Sequence, residues 1–118
     1  SFRLFDLECA ATGLSEKEAL AAGFVPISNI TWGSAMAPAM GMKKIGLKLT
    51  ADKSSGKLLG AQAVGVAGAV GRINALSVAL WTGLNIDEVG YLDLAYAPPF
   101  SEAWDIIHNA AQALRLMI

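Results

Sequence analysis

The chain has 118 residues with a net charge of −1; 54% of its residues are hydrophobic and only 16% charged. That is one domain's length, apolar enough to build a core without staples and too apolar for a disordered chain. With no Lys/Arg run and a single cysteine it lacks the electrostatic footprint of a nucleic-acid binder, a disulfide framework and a multi-cysteine metal site.

In chain order, Phe2, Leu4, Phe5 and Leu7 suggest a strand already under way at Ser1, with no initiating Met and no leader. The expectation is a piece of a longer protein. Ser15 followed by Glu18 is a capping box, which predicts a helix from Glu16 to about Ala22 stopped by Gly23. Phe24 to Trp32 reads as a strand rich in β-branched residues, and Pro26 points to a sheet edge or a late start. Gly33 to Met42 reads as a small-residue loop carrying Met36, Met40 and Met42. Lys43–Thr50 and Lys57–Val64, joined by Asp52-Lys53-Ser54-Ser55-Gly56, predict a hairpin whose first strand alternates apolar and polar residues.

Ala67 to Thr82 predicts a helix ended by Gly83. Its apolar residues surround most of its circumference, so it should be covered on several sides, one of them open to a second subunit. Asn85 caps a short helix through Val89, and Leu92 to Tyr96 reads as extended. Ala97-Pro98-Pro99-Phe100 is a rigid turn, after which Ser101 is expected to cap a final helix from Glu102 to about Leu116, with Trp104, Ile107, Ala111 and Leu114 on one stripe. A meander with grouped helices predicts an α+β fold: an antiparallel sheet with helices packed on one side. No stretch is a convincing membrane span, so the apolar surplus points to a protein partner.

Candidate chemistry is sparse. Cys9 has only Glu8 as a charged neighbour, which disfavours a thiolate, and reads as a small half-buried residue. His108 stands alone, without metal-ligand helpers, and reads as solvated or interfacial. Gly65, Gly68 and Gly71 do not match a dinucleotide or P-loop spacing and read as close packing. Glu102 and Asp105 are explained as acids in the first turn of the last helix. Tyr96 beside the stiff Pro98-Pro99 turn and Phe100 is the strongest candidate, either as an aromatic presented to a partner or as part of a rigid helix entry.

Three motifs in order carry a resemblance: Phe5-Asp6-Leu7 with Thr12-Gly13-Leu14-Ser15-Glu16-Lys17-Glu18-Ala19; Gly60-Ala61-Gln62-Ala63-Val64-Gly65 with Arg72-Ile73-Asn74-Ala75-Leu76; and Asp93-Leu94-Ala95-Tyr96-Ala97-Pro98-Pro99-Phe100-Ser101 with Trp104-Asp105. Over essentially the whole chain the sequence resembles the C-terminal dimerisation domain of FAD-dependent pyridine nucleotide–disulfide oxidoreductases. The likeness is strongest to the coenzyme A-disulfide reductase and NADH oxidase branch. The resemblance implies a single dimerisation domain over residues 1–118 and a cytoplasmic homodimer. It implies a dimer interface that includes Tyr96, Pro98, Pro99, Phe100 and Trp104. The FAD- and NAD(P)H-binding domains and the redox cysteine are then expected upstream, with neither cofactor nor metal bound by this piece and no turnover of its own. In relatives of glutathione reductase the turn carries His-Pro with a Glu five residues after the His. Pro98 and Glu102 fit, but Ala97 stands at the His position. Tyr96 matches the tyrosine that the coenzyme A branch lends to the partner's active site. A second tyrosine typical of some members has no counterpart in Pro38-Ala39-Met40-Gly41. Three other readings remain open: a free-standing small-molecule-binding module using the Met36–Met42 loop, an independent enzyme with Tyr96 or His108 as the acid, and a purely structural dimer module.

Overall fold

The structure is a computed structural model describing residues Ser1–Ile118. Five antiparallel strands form one sheet in the order β1-β2-β5-β4-β3. They span Phe2–Leu4 (β1), Leu7–Gly13 (β2), Pro26–Ser34 (β3), Lys44–Asp52 (β4) and Leu58–Gly65 (β5). The predicted hairpin is the β4–β5 centre of that sheet, with Leu47 opposite Ala63 and Leu49 opposite Ala61. Pro26 opens β3, and β3 is an edge strand; either placement accommodates its missing amide. The opening segment is two strands instead of one. Phe5, in the left-handed region at φ 54°, turns the chain so that Leu4 pairs with Leu7.

Alternation assigns the faces. Ile45, Leu47, Leu49 and Ala51 point to one side and are completely buried there. Two helices cover them: α2 (Ala69–Thr82), packed on β2 and β5, and α4 (Ile106–Arg115), packed on β3 and β4. Ile73 and Leu76 of α2 and Ile107 and Leu114 of α4 complete the core. Each fully buried Leu or Ile stabilises the fold by about 1.5–3 kcal/mol. The expected α+β class is therefore observed, with the two long helices on one side.

The capping boxes explain where helices begin. Ser15 Oγ accepts from the Glu18 amide, and Glu18 returns a carboxylate to the Ser15 amide at 2.7 Å; this opens the short α1 (Glu16–Ala21). The α1 segment lies against the sheet's other face, where Glu16 meets Lys48 of β4 at 2.6 Å. Asn85 and Glu88 make the same reciprocal pair at α3 (Ile86–Val89). Gly83, at φ 74°, stops α2 as predicted.

The last helix differs from expectation. It begins at Ile106, not Glu102, and its cap is Asp105, not Ser101. Trp104 and Glu102 precede the helix, so Trp104 is not on its buried stripe and Glu102 is not in its first turn. Residues 92–96 form no strand; they run alongside α4 as irregular chain.

Candidate functional site

The residues singled out in the sequence converge on one end of the helix layer, in the segment that joins α3 to α4. Here the structure supplies a polar hub that sequence reasoning missed. Arg72 of α2 and Asp105 at the α4 cap form a two-pronged ion pair, with Arg72 Nη2 2.7 Å from Asp105 Oδ2 and Nε 3.3 Å from Oδ1. Both side chains are nearly buried, at 10% and 8% exposure. The same guanidinium donates to the carbonyls of Gly68, Ala35 and Phe100 at 3.2, 2.9 and 3.4 Å. A planar five-donor fork is the one side chain able to serve three carbonyls and a carboxylate together. It thus ties the start of α2, the end of β3, the proline turn and the start of α4 to one point.

His108 secures the other end of the segment. Its Nδ1 accepts from the Asp105 amide at 3.0 Å, standing in for the Glu of an ordinary capping box. Because that amide can only donate, Nε2 carries the proton and donates to the Leu92 carbonyl at 2.7 Å. The expectation of a solvated or interfacial His108 is therefore overturned: the ring is 6% exposed and bonded at both nitrogens. The capping rule looks for Glu or Gln at the third helical position, so an Asp-x-x-His box escapes it.

Between these anchors the aromatic residues stand outward. Tyr96, Phe100 and Trp104 are largely exposed, as are Pro98 and Pro99. Trp104 packs edge-on against both His108 and Tyr91, with ring centroids 5.5 and 6.2 Å away. The proline turn is stitched by Phe100 and Ser101 amides donating to Ala97 O, and by the Ala37 amide donating to Pro98 O at 2.9 Å. Tyr96, Trp104 and His108, with Leu92 and Leu94, border an open hollow of about 360 Å³. Chemically the hollow offers the phenolic hydroxyls of Tyr96 and Tyr91, with Asp93 and His108 also on its border, set in largely apolar surface.

The remaining candidates separate. Cys9 is half-buried on β2, away from this end. Gly68, at φ 74°, begins α2 in a conformation that favours glycine. The α2 amino terminus does not suit a dinucleotide. Its Ala69 and Val70 amides are already taken by the Glu8 carboxylate, at 2.9 and 3.4 Å. A pyrophosphate needs those amides free, so this helix terminus is not a dinucleotide cradle. No three His, Cys, Asp or Glu side chains converge on a point where a metal could sit. No helix is long and apolar enough to cross a membrane.

Comparison with known proteins follows the same lines. Residues 1–108 match the family model described as the pyridine nucleotide-disulphide oxidoreductase dimerisation domain. The NAD(P)H sulfur oxidoreductase (CoA-dependent) of Pyrococcus furiosus is 36% identical over 114 residues, covering 96% of this chain and 26% of that protein. The coenzyme A disulfide reductase of Staphylococcus aureus is 32% identical, covering 90% of this chain and 24% of its own length. Among solved structures, an NAD-dependent persulfide reductase from A. fulgidus superposes with a TM-score of 0.94 at 36% identity, over 98% of this chain and 22% of its own. The chain thus spans about a quarter of the curated relatives it matches. With the fold, the motifs and this match in agreement, the chain belongs to the dimerisation-domain family of the pyridine nucleotide-disulphide oxidoreductases.

Proposed function

We propose that this domain pairs two copies of a longer cytoplasmic flavoenzyme and lends Tyr96 to the partner's active site. The parent would be a homodimeric NAD(P)H:disulfide oxidoreductase or NADH oxidase. FAD and NAD(P)H would be held by the domains upstream of this one. The observation that carries the reading is the exposed Tyr96–Phe100 turn: two prolines stiffen it, Arg72 holds its Phe100 end, and His108 holds the chain at Leu92, four residues before Tyr96. A group that must act in another subunit's site needs such a mounting, because positioning errors of about 1 Å can cost two orders of magnitude.

The pairing surface in this reading includes Tyr96, Pro98, Pro99, Phe100 and Trp104, together with the outward side of α2, where Val78 and Trp81 lie open. Obligate interfaces of this kind bury upwards of about 2,000 Å². The Tyr96 hydroxyl would hydrogen-bond or give a proton to the substrate side of the partner's site. The unpaired Cys9 suits a reducing compartment. The alternative of a free-standing binding module on the Met36–Met42 loop loses ground, because that loop is tied to the proline turn through Ala37 and Pro98.

Tyr96→Phe in the full-length parent tests the reading. Losing one hydrogen bond of about 1 kcal/mol lowers turnover about fivefold, with the dimer intact by sedimentation. Unchanged turnover in an intact dimer would leave the domain a purely structural pairing module. A parent that sediments as a monomer at micromolar concentration would remove the pairing as well.

A further inference from the structure

The sheet's second face is not covered by α2 or α4. Alternation places Phe2 of β1, Cys9 and Ala11 of β2, Val64 of β5, Gly46 of β4 and Trp32 of β3 on it. Phe2, Ile30 and Trp32 are each more than half exposed, at 65%, 56% and 58%. Together these residues line a groove of about 420 Å³. Its floor is low because Gly46 and Ala11 have little or no side chain, and a Cβ at Gly46 would come 2.7 Å from the Trp32 ring. Its walls are Phe2 on one side and Ile30 with Trp32 on the other. Lone exposed apolar residues are ordinary, but a continuous concave strip across several strands marks a contact surface.

We infer that this groove is the seat of the rest of the parent polypeptide, and not a surface between two copies of this domain. Three observations select that occupant. First, the domain accounts for about a quarter of the length of its relatives, so most of such a chain is elsewhere and needs a contact with it. Second, Ser1 itself lines the groove, so any polypeptide joined ahead of it leaves from within this face. Tethering at that point gives the attached segment a high effective concentration over the groove. Third, the face is ill-suited to itself. A two-fold contact sets the same patch on both sides. Two Lys44 ammonium groups would then share one interface. Lys44 Nζ sits 5.1 Å from the Trp32 ring centroid, while Lys48 is already paired with Glu16. The matching occupant is a convex apolar segment with a carboxylate placed for Lys44.

The inference depends on the longer chain proposed above but not on any role for Tyr96. A null Tyr96→Phe result leaves it standing. The test uses the full-length parent, unaltered. Carbodiimide coupling followed by peptide mass spectrometry should join Lys44 to an Asp or Glu outside residues 1–118. In dimers mixed from isotopically light and heavy chains, that link should stay within one chain. Links from Lys44 to an acid of the other copy's 1–118 region, or no Lys44 links at all, overturn it. Trp32→Glu in the same parent is the second arm. Because the indole is largely outside the core, the domain keeps its fold. The single thermal transition of the parent should split into two while sedimentation still reports a dimer. A monomeric variant would make this face the two-fold surface, and an unchanged melting profile would leave it facing solvent; either result overturns the inference.

Discussion

Two regions of this small domain leave aromatic side chains in the open, and they do it by different means. On the sheet's uncovered face, Trp32, Ile30 and Phe2 are directed by β-pitch alone; once strand register is set, alternate residues must point that way. At the end of the helix layer, Tyr96, Phe100 and Trp104 lie on irregular chain that has no pitch to direct it. Their direction comes from buried polar groups: Arg72 holding Phe100 O and Asp105, and His108 holding Leu92 O and the Asp105 amide. No buried side-chain nitrogen or oxygen is left without a partner, so the hub is fully satisfied. A satisfied polar network rigidifies a segment that packing alone would not. The difference teaches that loss of one side chain should be local on the sheet and cooperative at the hub.

The largest effect is expected where the hub is cut. Arg72→Ala leaves the Asp105 carboxylate buried without its cation and three carbonyls without their donor. Removing one member of a buried pair typically costs about 3–5 kcal/mol. Urea denaturation should show that loss, and Arg72→Lys should recover only part of it because an ammonium lacks the fork. Amide exchange across residues 96–101 should accelerate in both variants. Trp32→Ala, by contrast, should cost less than about 1 kcal/mol in this domain. If Arg72→Ala proved as mild as Trp32→Ala, the cooperative description of the hub would be wrong.

How far each region was legible follows from the range of its signals. The β4–β5 hairpin, α1 and the α2 stop are written in residues a few positions apart: alternation around Leu47-Lys48-Leu49, Ser15 with Glu18, and Gly83. Those elements read correctly. The aromatic turn was visible too, through Pro98 and Pro99. What holds it was not, because Arg72 and Asp105 are 33 positions apart and nothing local to either announces the other. The same gap moved the predicted helix start. Ser101 looks like a cap, but Asp105 wins the role because its carboxylate accepts from the Ile107 amide at 3.0 Å while His108 completes the box. The open face was half legible. Alternation in β4 showed which residues face away from the core, yet the distance between Phe2 and Trp32 across the sheet depends on strand order.

Glycines on the open face sharpen the comparison at a smaller scale. Gly60 and Gly46 both point their missing side chain to that side, but they face different obstacles. A Cβ at Gly60 would run into the Leu14 backbone carbonyl, in a segment pinned by the Leu14 amide donating to Leu59 O at 2.8 Å. A Cβ at Gly46 would meet only the outer edge of the exposed Trp32 ring. Gly60→Ala should therefore cost about 2 kcal/mol, since backbone must move. Gly46→Ala should cost less than about 1 kcal/mol and swing the indole off the sheet, visible as a shift in tryptophan emission. Equal costs at the two positions would mean that Trp32 is held as firmly as backbone, against the picture of a face directed by pitch alone.

The smallest effect is the acid response of the sheet end near α1 and the β4–β5 turn, where three carboxylates are held below their ordinary range. Asp52 is lowered chiefly by the Ser55 hydroxyl donating to it at 2.7 Å, and next by the Val25 amide at 3.0 Å. Glu16 is lowered by its hydrogen bond to Lys48, and Glu18 by the Ser15 amide. Each carboxyl is therefore more acidic folded than unfolded, so the unfolded chain binds protons first as pH falls. The stability these groups contribute is complete above the usual carboxylate range and is lost as pH drops through it toward the folded values. Urea midpoints measured from pH 7 down to pH 3 should stay level at first and then decline below about pH 4.5. Asp52→Asn cannot take up that proton and should decline less steeply over the same interval. An equally steep decline in Asp52→Asn would place the acid sensitivity elsewhere in the molecule.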